Sequence, residues 1–196
     1  MDDKYGVADD PYCYPGTTVL RNSLNLRDEN TLDQAERELS EIAASSISFT
    51  PAPYSLETLL DIHRTLFSDL YEWAGFIRTV KIRKDQTFFC APERIYPEAT
   101  KIFAHMGRSD WFTNMPRAEV IRGIAEVFGD LNVIHPFREG NGRAQRILFE
   151  QIIINAGYSV DWWRVSEADW IPANVAAVVC DYRQLEQIFD RCLEGV

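Results

Sequence analysis

Residues 135–146 read His-Pro-Phe-Arg-Glu-Gly-Asn-Gly-Arg-Ala-Gln-Arg and gather, in twelve positions, the residue types that phosphate chemistry needs. Gly140-Asn141-Gly142 stands directly before a stretch with helical periodicity. Glycines let successive backbone N–H groups turn inward as a nest, and the helix N-terminus adds the positive end of its dipole. Arg143 and Arg146 follow at i and i+3, so both guanidinium groups leave the first helical turn on nearly one face. Two arginines there oppose the macrodipole, which makes sense if a polyanion occupies the site. Glu139, an acid beside the nest, suits a Mg²⁺ ion bridging phosphates. His135, just upstream, can accept a proton from an incoming hydroxyl. Singly, each residue has a plainer explanation: a capping histidine, a turn glycine, a solvated arginine pair, a Glu139–Arg143 ion pair. Together, nine specified positions in twelve exceed what average residue frequencies deliver by chance.

The elements that must carry this segment are mostly helical. Leu32, Ala35, Leu39, Ile42 and Ala43 recur at helical spacing over 31–46. After Pro51 and Pro53, Ser55 is an N-cap for a stripe of Leu56, Leu59, Leu60, His63, Leu66, Phe67 and Leu70, with Gly75 near its end. Pro97 suits the first turn of a helix that ends by Gly107, and Pro116 opens another carrying Ile121, Ile124, Ala125, Phe128 and Leu131. The helix after the nest runs from about Gly142 to Ala156 and is closed by Gly157. Two more follow, roughly 166–180 and 182–193. Residues 77–90 break the pattern: Val80 and Ile82 alternate with Lys81 and Arg83, and Lys84-Asp85-Gln86 supplies a turn before Thr87-Phe88-Phe89. That predicts a short β-hairpin, which must lie against the helices to be stable. The fold class is mainly α, with about seven helices and one hairpin.

Composition removes whole classes. Lys and Arg total 20 against 30 Asp and Glu, a net charge of −10, which disfavours a generic grip on nucleic acid or an anionic membrane. No apolar run approaches the roughly 20 residues that span a bilayer. Met-Asp-Asp-Lys-Tyr is no secretory signal, and the expected location is the cytoplasm. Cys13, Cys90, Cys180 and Cys192 form no C-x-x-C pair and stand at no zinc spacing from His63, His105 or His135, so they read as free thiols. Aromatic residues make up 12% of the chain, which excludes general disorder.

The segment 135–146 resembles, without a departure, the signature of Fic-domain (Fido) proteins, H-P-F-x-[D/E]-G-N-G-R-x-x-R. Trp73-Ala74-Gly75-Phe76-Ile77-Arg78 with the following hairpin is similar to the family's flap, and Gly157-Tyr158 follows the motif helix as it does there. The resemblance covers roughly 54–194. Residues 1–50 form an N-terminal extension with one helix, and its Asp10–Gly16 and Leu20–Asn25 stretches resemble the start of bacterial Fic toxins.

The resemblance implies a Fic helical fold with a β-hairpin flap. It also implies transfer of AMP from ATP to a Tyr, Thr or Ser hydroxyl of a target protein, with release of pyrophosphate. His135 would be the base and Glu139 would hold Mg²⁺. Gly140, Asn141 and Gly142 would form the anion hole, with Arg143 and Arg146 on the distal phosphates. Lys84 and Asp85 would lie beside the nucleotide, and the flap at 77–90 would clamp the target by strand addition. Lysine in place of the second motif glycine would favour phosphotransfer, and Gly142 argues against it. A catalytically silent Fic fold, or transfer of another nucleotide or phosphate-containing group, is the alternative.

Family members are restrained by a helix of pattern [S/T]-x-x-x-E-[G/N] whose glutamate pairs with the second motif arginine. Ser68-x-x-x-Glu72 and Asp190-x-x-x-Glu194-Gly195 both depart from it. The resemblance therefore implies a separate small antitoxin carrying that helix. Targets expected from the family are the ATP-binding subunits of DNA gyrase and topoisomerase IV.

Overall fold

The structure is a computed structural model that describes residues 10–84 and 87–195. Two adjacent helices form its centre. Helix α4, Arg117–Ile134, buries Val120, Ile124, Phe128 and Leu131, and helix α5, Asn141–Asn155, buries Ala144, Leu148, Phe149, Ile152 and Ile153. Even the polar Gln145 of α5 is buried, because its side-chain amide donates to Phe128 O at 2.8 Å. A helix enclosed on this many sides cannot move without dismantling the core, which fixes its N-terminus in space.

The remaining helices surround this pair. Helix α1, Glu29–Ala44, starts at the Asp28 cap and packs on α2, Leu56–Phe67, which starts with a Ser55/Thr58 capping box and packs on α5. Helix α3, Pro92–Arg108, lies against α4. It begins five residues earlier than Pro97 suggested: Pro92 takes the first helical position, and Pro97 is tolerated inside on the exposed side. Helices α6, Glu167–Ala177, and α7, Arg183–Cys192, pack on each other and on α4. Phe128 knits the four together, its ring edge-on to Phe149, Trp170 and Phe189 at centroid distances of 4.7, 5.1 and 5.6 Å.

Among the described residues two small antiparallel sheets accompany the helices. Arg83–Lys84 (β1) pairs with Thr87–Phe88 (β2), a ladder much shorter than the 77–90 hairpin expected. Tyr158–Val160 (β3) pairs with Leu193–Gly195 (β4), a sheet with no counterpart in the sequence reading. Glu194, one of the two candidate internal brakes, therefore sits in a strand opposite Ser159, and its carboxylate is ion-paired with Arg164. Among the described residues no helix is long and apolar enough to cross a membrane. Among the described residues none of the four cysteines is in a disulfide.

Candidate active site

The backbone places His135. Pro136 disfavours an α conformation for the residue before it, and α4 ends there with His135 at φ 46°, ψ 64°. Its Nδ1 lies 3.0 Å from Asn132 O, and a carbonyl only accepts, so Nδ1 carries a proton and Nε2 is the nitrogen through which the neutral ring would accept one. The ring stacks on Phe89 from the hairpin, centroids 3.9 Å apart and planes 18° from parallel.

The loop from Pro136 to Gly140 is closed by Asn141. Phe137 N–H donates to Asn141 Oδ1 at 2.8 Å, and Asn141 Nδ2 donates to Phe137 O at 2.9 Å. The Asn141 side chain is thus turned into the loop, which leaves its N–H alone for the anion hole that the resemblance implies. Phe137 is fully buried and stacks on His63, ring centroids 3.7 Å apart. That histidine, fully buried in α2, accepts from Gly75 N–H at Nδ1 (2.9 Å) and so donates from Nε2 to Glu139 O (2.9 Å). Burial holds its pKa down at about 4, which keeps it neutral. Gly140 has φ 79°, and a Cβ there would lie 2.4 Å from Phe67 Cε2, so no other residue fits. Gly142 is the opposite case: a Cβ would meet nothing within 4 Å, which leaves open space in front of the helix. Among the described residues no side chain caps α5 there, and Ala144 N–H bonds back to the Gly140 carbonyl at 3.2 Å. The 141–143 amides can therefore serve an anion.

The two arginines differ. Arg143 is tethered to α1, where Nη2 is ion-paired with Glu36 and Nη1 donates to Ser40 Oγ at 3.0 Å, and it lies over the Phe67 ring at 4.8 Å. Glu36 also accepts from the Tyr71 hydroxyl, so its carboxylate is fixed from both sides. Arg146 makes no hydrogen bond or ion pair among the described residues. It is half-buried, and burial first, then the neighbouring Arg143, pull its pKa below the usual guanidinium value. A desolvated, unpaired cation is costly unless an anion joins it.

These groups face one cleft of about 440 Å³, where His135, Glu139, the 140–143 turn and Arg146 meet Lys84 and Phe89 of the hairpin. The opposite wall is apolar, built by Trp170, Ile171, Val175 and Val178, and holds Asn174. The Asn174 Nδ2 donates to Trp170 O at 2.8 Å, while its Oδ1 is buried with no hydrogen-bond partner among the described residues. Asp85 lies outside the described residues. Glu139 presents a single carboxylate, whose Oε1 also accepts from Gly140 N–H at 3.0 Å. Among the described residues no group of three His, Cys, Asp or Glu side chains is placed to cage a metal. One hard oxygen donor fits a Mg²⁺ ion that takes its other ligands from phosphates and water.

Sequence reasoning passed over several residues here. Arg78 is 1% exposed, with its guanidinium on main-chain carbonyls of the hairpin legs and of residues 134–135. Arg138, the variable position of the motif, forms a buried ion pair with Asp10 (2.6 Å) that ties the N-terminal segment to the loop. His63 stood out only as the one polar member of an apolar stripe.

The sequence profile described as the Fic/DOC family matches residues 53–153. The probable protein adenylyltransferase Fic of Escherichia coli K12 is 36% identical over 191 residues, 97% of this chain and 96% of that protein. Its namesake in Salmonella typhimurium LT2 is 34% identical, covering 98% and 96%. Among solved structures, the BepC protein of Bartonella tribocorum, a VirB-translocated effector crystallised with bound AMPPNP, superposes with a TM-score of 0.85 at 24% identity, over 94% of this chain and 97% of that one.

Proposed function

The chain belongs to the Fic/DOC family, and from that premise we propose that it transfers AMP from ATP to a hydroxyl side chain of a target protein. One observation carries the reading: a single cleft brings the Nε2 edge of His135, together with a helix N-terminus and a guanidinium that have no side-chain partner among the described residues, to bear on one small volume. The phosphates would lie on the 141–143 amides and the two arginines, with the base of the nucleotide against the apolar wall. The orphaned Asn174 Oδ1 would accept from an exocyclic amine such as the one adenine carries. Glu139 would hold Mg²⁺, which supplies charge neutralisation on the phosphate oxygens. His135 Nε2 takes the proton of the target hydroxyl, whose oxygen attacks the α-phosphorus. The bond from that phosphorus to the β-bridging oxygen breaks, and pyrophosphate leaves.

The target segment would pair with the exposed edge of the β1–β2 hairpin, beside Phe89 and His135. Type II topoisomerase subunits are the first acceptors to try. Restraint would come from a separate small protein whose helix brings a glutamate to Arg146. What supports this is a second cavity of about 420 Å³, bordered by Leu32, Glu36 and Tyr71, which reaches Arg143 and Arg146 from the side of α1.

The test compares two labels. Label on the α-phosphate of ATP should pass to the acceptor, and label on the γ-phosphate should appear in pyrophosphate. Transfer of the γ-label would replace adenylyl by phosphoryl transfer, and transfer of neither would leave a binding fold.

A further inference from the structure

Arg78 is among the largest fully buried side chains of the molecule. Its Nε donates to His135 O at 2.8 Å, Nη1 to Val80 O at 2.6 Å, and Nη2 to Cys90 O at 2.5 Å and to Ile134 O at 3.4 Å. Its own backbone N–H donates to Pro136 O at 2.9 Å. Three consecutive carbonyls, 134 to 136, and both legs of the hairpin therefore meet on one residue. The second leg is also fastened directly, Cys90 N–H to Val133 O at 3.0 Å.

His135 sits in a left-handed conformation that a non-glycine residue keeps only where its surroundings enforce it. The β1–β2 ladder is two residues long on each side and cannot orient a hairpin alone. Both features need an external support, and the same guanidinium supplies it. We propose that Arg78 is a positioning residue that locks the His135 backbone and the two hairpin legs into one rigid unit, fixing the distance between a hydroxyl presented on the hairpin and the Nε2 that receives its proton. The phosphate loop has separate anchors in Asn141, His63 and the Arg138–Asp10 pair. Nucleotide binding therefore rests chiefly on anchors other than the Arg78 guanidinium, with Lys84 as the hairpin's one cation in the cleft among the described residues, whereas proton transfer from a docked target depends on that guanidinium.

This inference rests on the adenylyl-transfer reading for its activity arm alone. Arg78→Lys keeps the charge and loses the planar fork that reaches several carbonyls at once. With α-labelled ATP and the ATP-binding subunit of DNA gyrase as acceptor, kcat should fall about 10- to 100-fold while Kd for ATP stays within about twofold. Unchanged kcat overturns the proposal, and so does a Kd that weakens in step with kcat, which would mark general damage. A wild-type protein inactive on that acceptor counts against the function or the acceptor. The positioning role is then decided by hydrogen exchange on the wild-type chain, which also serves if the lysine variant fails to fold. The amides of Arg78, Cys90 and His135 should open at one shared rate. Three unrelated rates overturn the unit.

Discussion

At the residue scale, His135 is prepared by a hydrogen bond made on its far side. Because Asn132 O holds the Nδ1 proton, the imidazole faces the cleft with the nitrogen that can accept one. His135→Ala should therefore lower transfer by about 10²- to 10⁴-fold while nucleotide affinity is retained, since the nest and arginines are untouched. Acceptor mass and ATP titration check the two halves. Arg146→Ala should show the reverse pattern. Losing a charge-assisted contact should weaken ATP by about 1.5–3 kcal/mol, while the thermal midpoint holds or rises because a desolvated charge is gone. An equal loss of affinity in both variants would contradict the division of labour. Residues 135–146 were legible because their chemistry is contiguous, so type and spacing carry it without the fold. Arg78, His63 and Asn174 were not legible, because an isolated polar residue shows its purpose only once burial removes its water and leaves a partner or an orphaned atom.

At the element scale, the cleft is the junction of a helix end, a loop and a helix start, and each joint has its own fastener. The Asn141 side chain answers both the N–H and the C=O of Phe137, buried inside the loop. Asn141→Ala should strand those two groups and destabilise the protein by about 1–3 kcal/mol, read from the urea midpoint. Helix α1 contributes through Glu36, which is nearly buried and holds Arg143. Glu36→Ala should cost about 2–4 kcal/mol, toward the lower side for a broken buried pair because Arg143 keeps some exposure. It should also weaken ATP by freeing the guanidinium from its set position. A stable variant with wild-type affinity would show the tether to be idle. The helices themselves could be read from the 3.6-residue spacing of Leu32 to Ala43 or Leu56 to Leu70. Sheet β3–β4 could not, since two three-residue strands about 35 positions apart carry no local period and exist only because α7 brings them together.

At the scale of the whole molecule, stability inherits a pH dependence from one buried imidazole. His63 titrates near 4 in the folded chain and near 6.5 when unfolded, so between those values the unfolded state binds the extra proton. Stability is therefore complete above about pH 6.5 and declines as pH falls toward 4, by about 2 kcal/mol at pH 5. Urea unfolding at pH 7 and pH 5 measures this, and equal free energies would mean that His63 is not held neutral. The anchors of the phosphate loop also span the sequence unusually far. Asp10 to Arg138 bridges 128 positions, Glu36 to Arg143 bridges 107, and His63 to Glu139 bridges 76. High contact order of this kind delays assembly, because long loops must close before any contact rewards them. On a ribosome, α1 and α2 would emerge first and wait for the motif to arrive. The catalytic arrangement is then among the last things the chain acquires, and a partly synthesised or partly refolded molecule is born without it. In refolding from urea, helical circular dichroism should recover ahead of nucleotide binding.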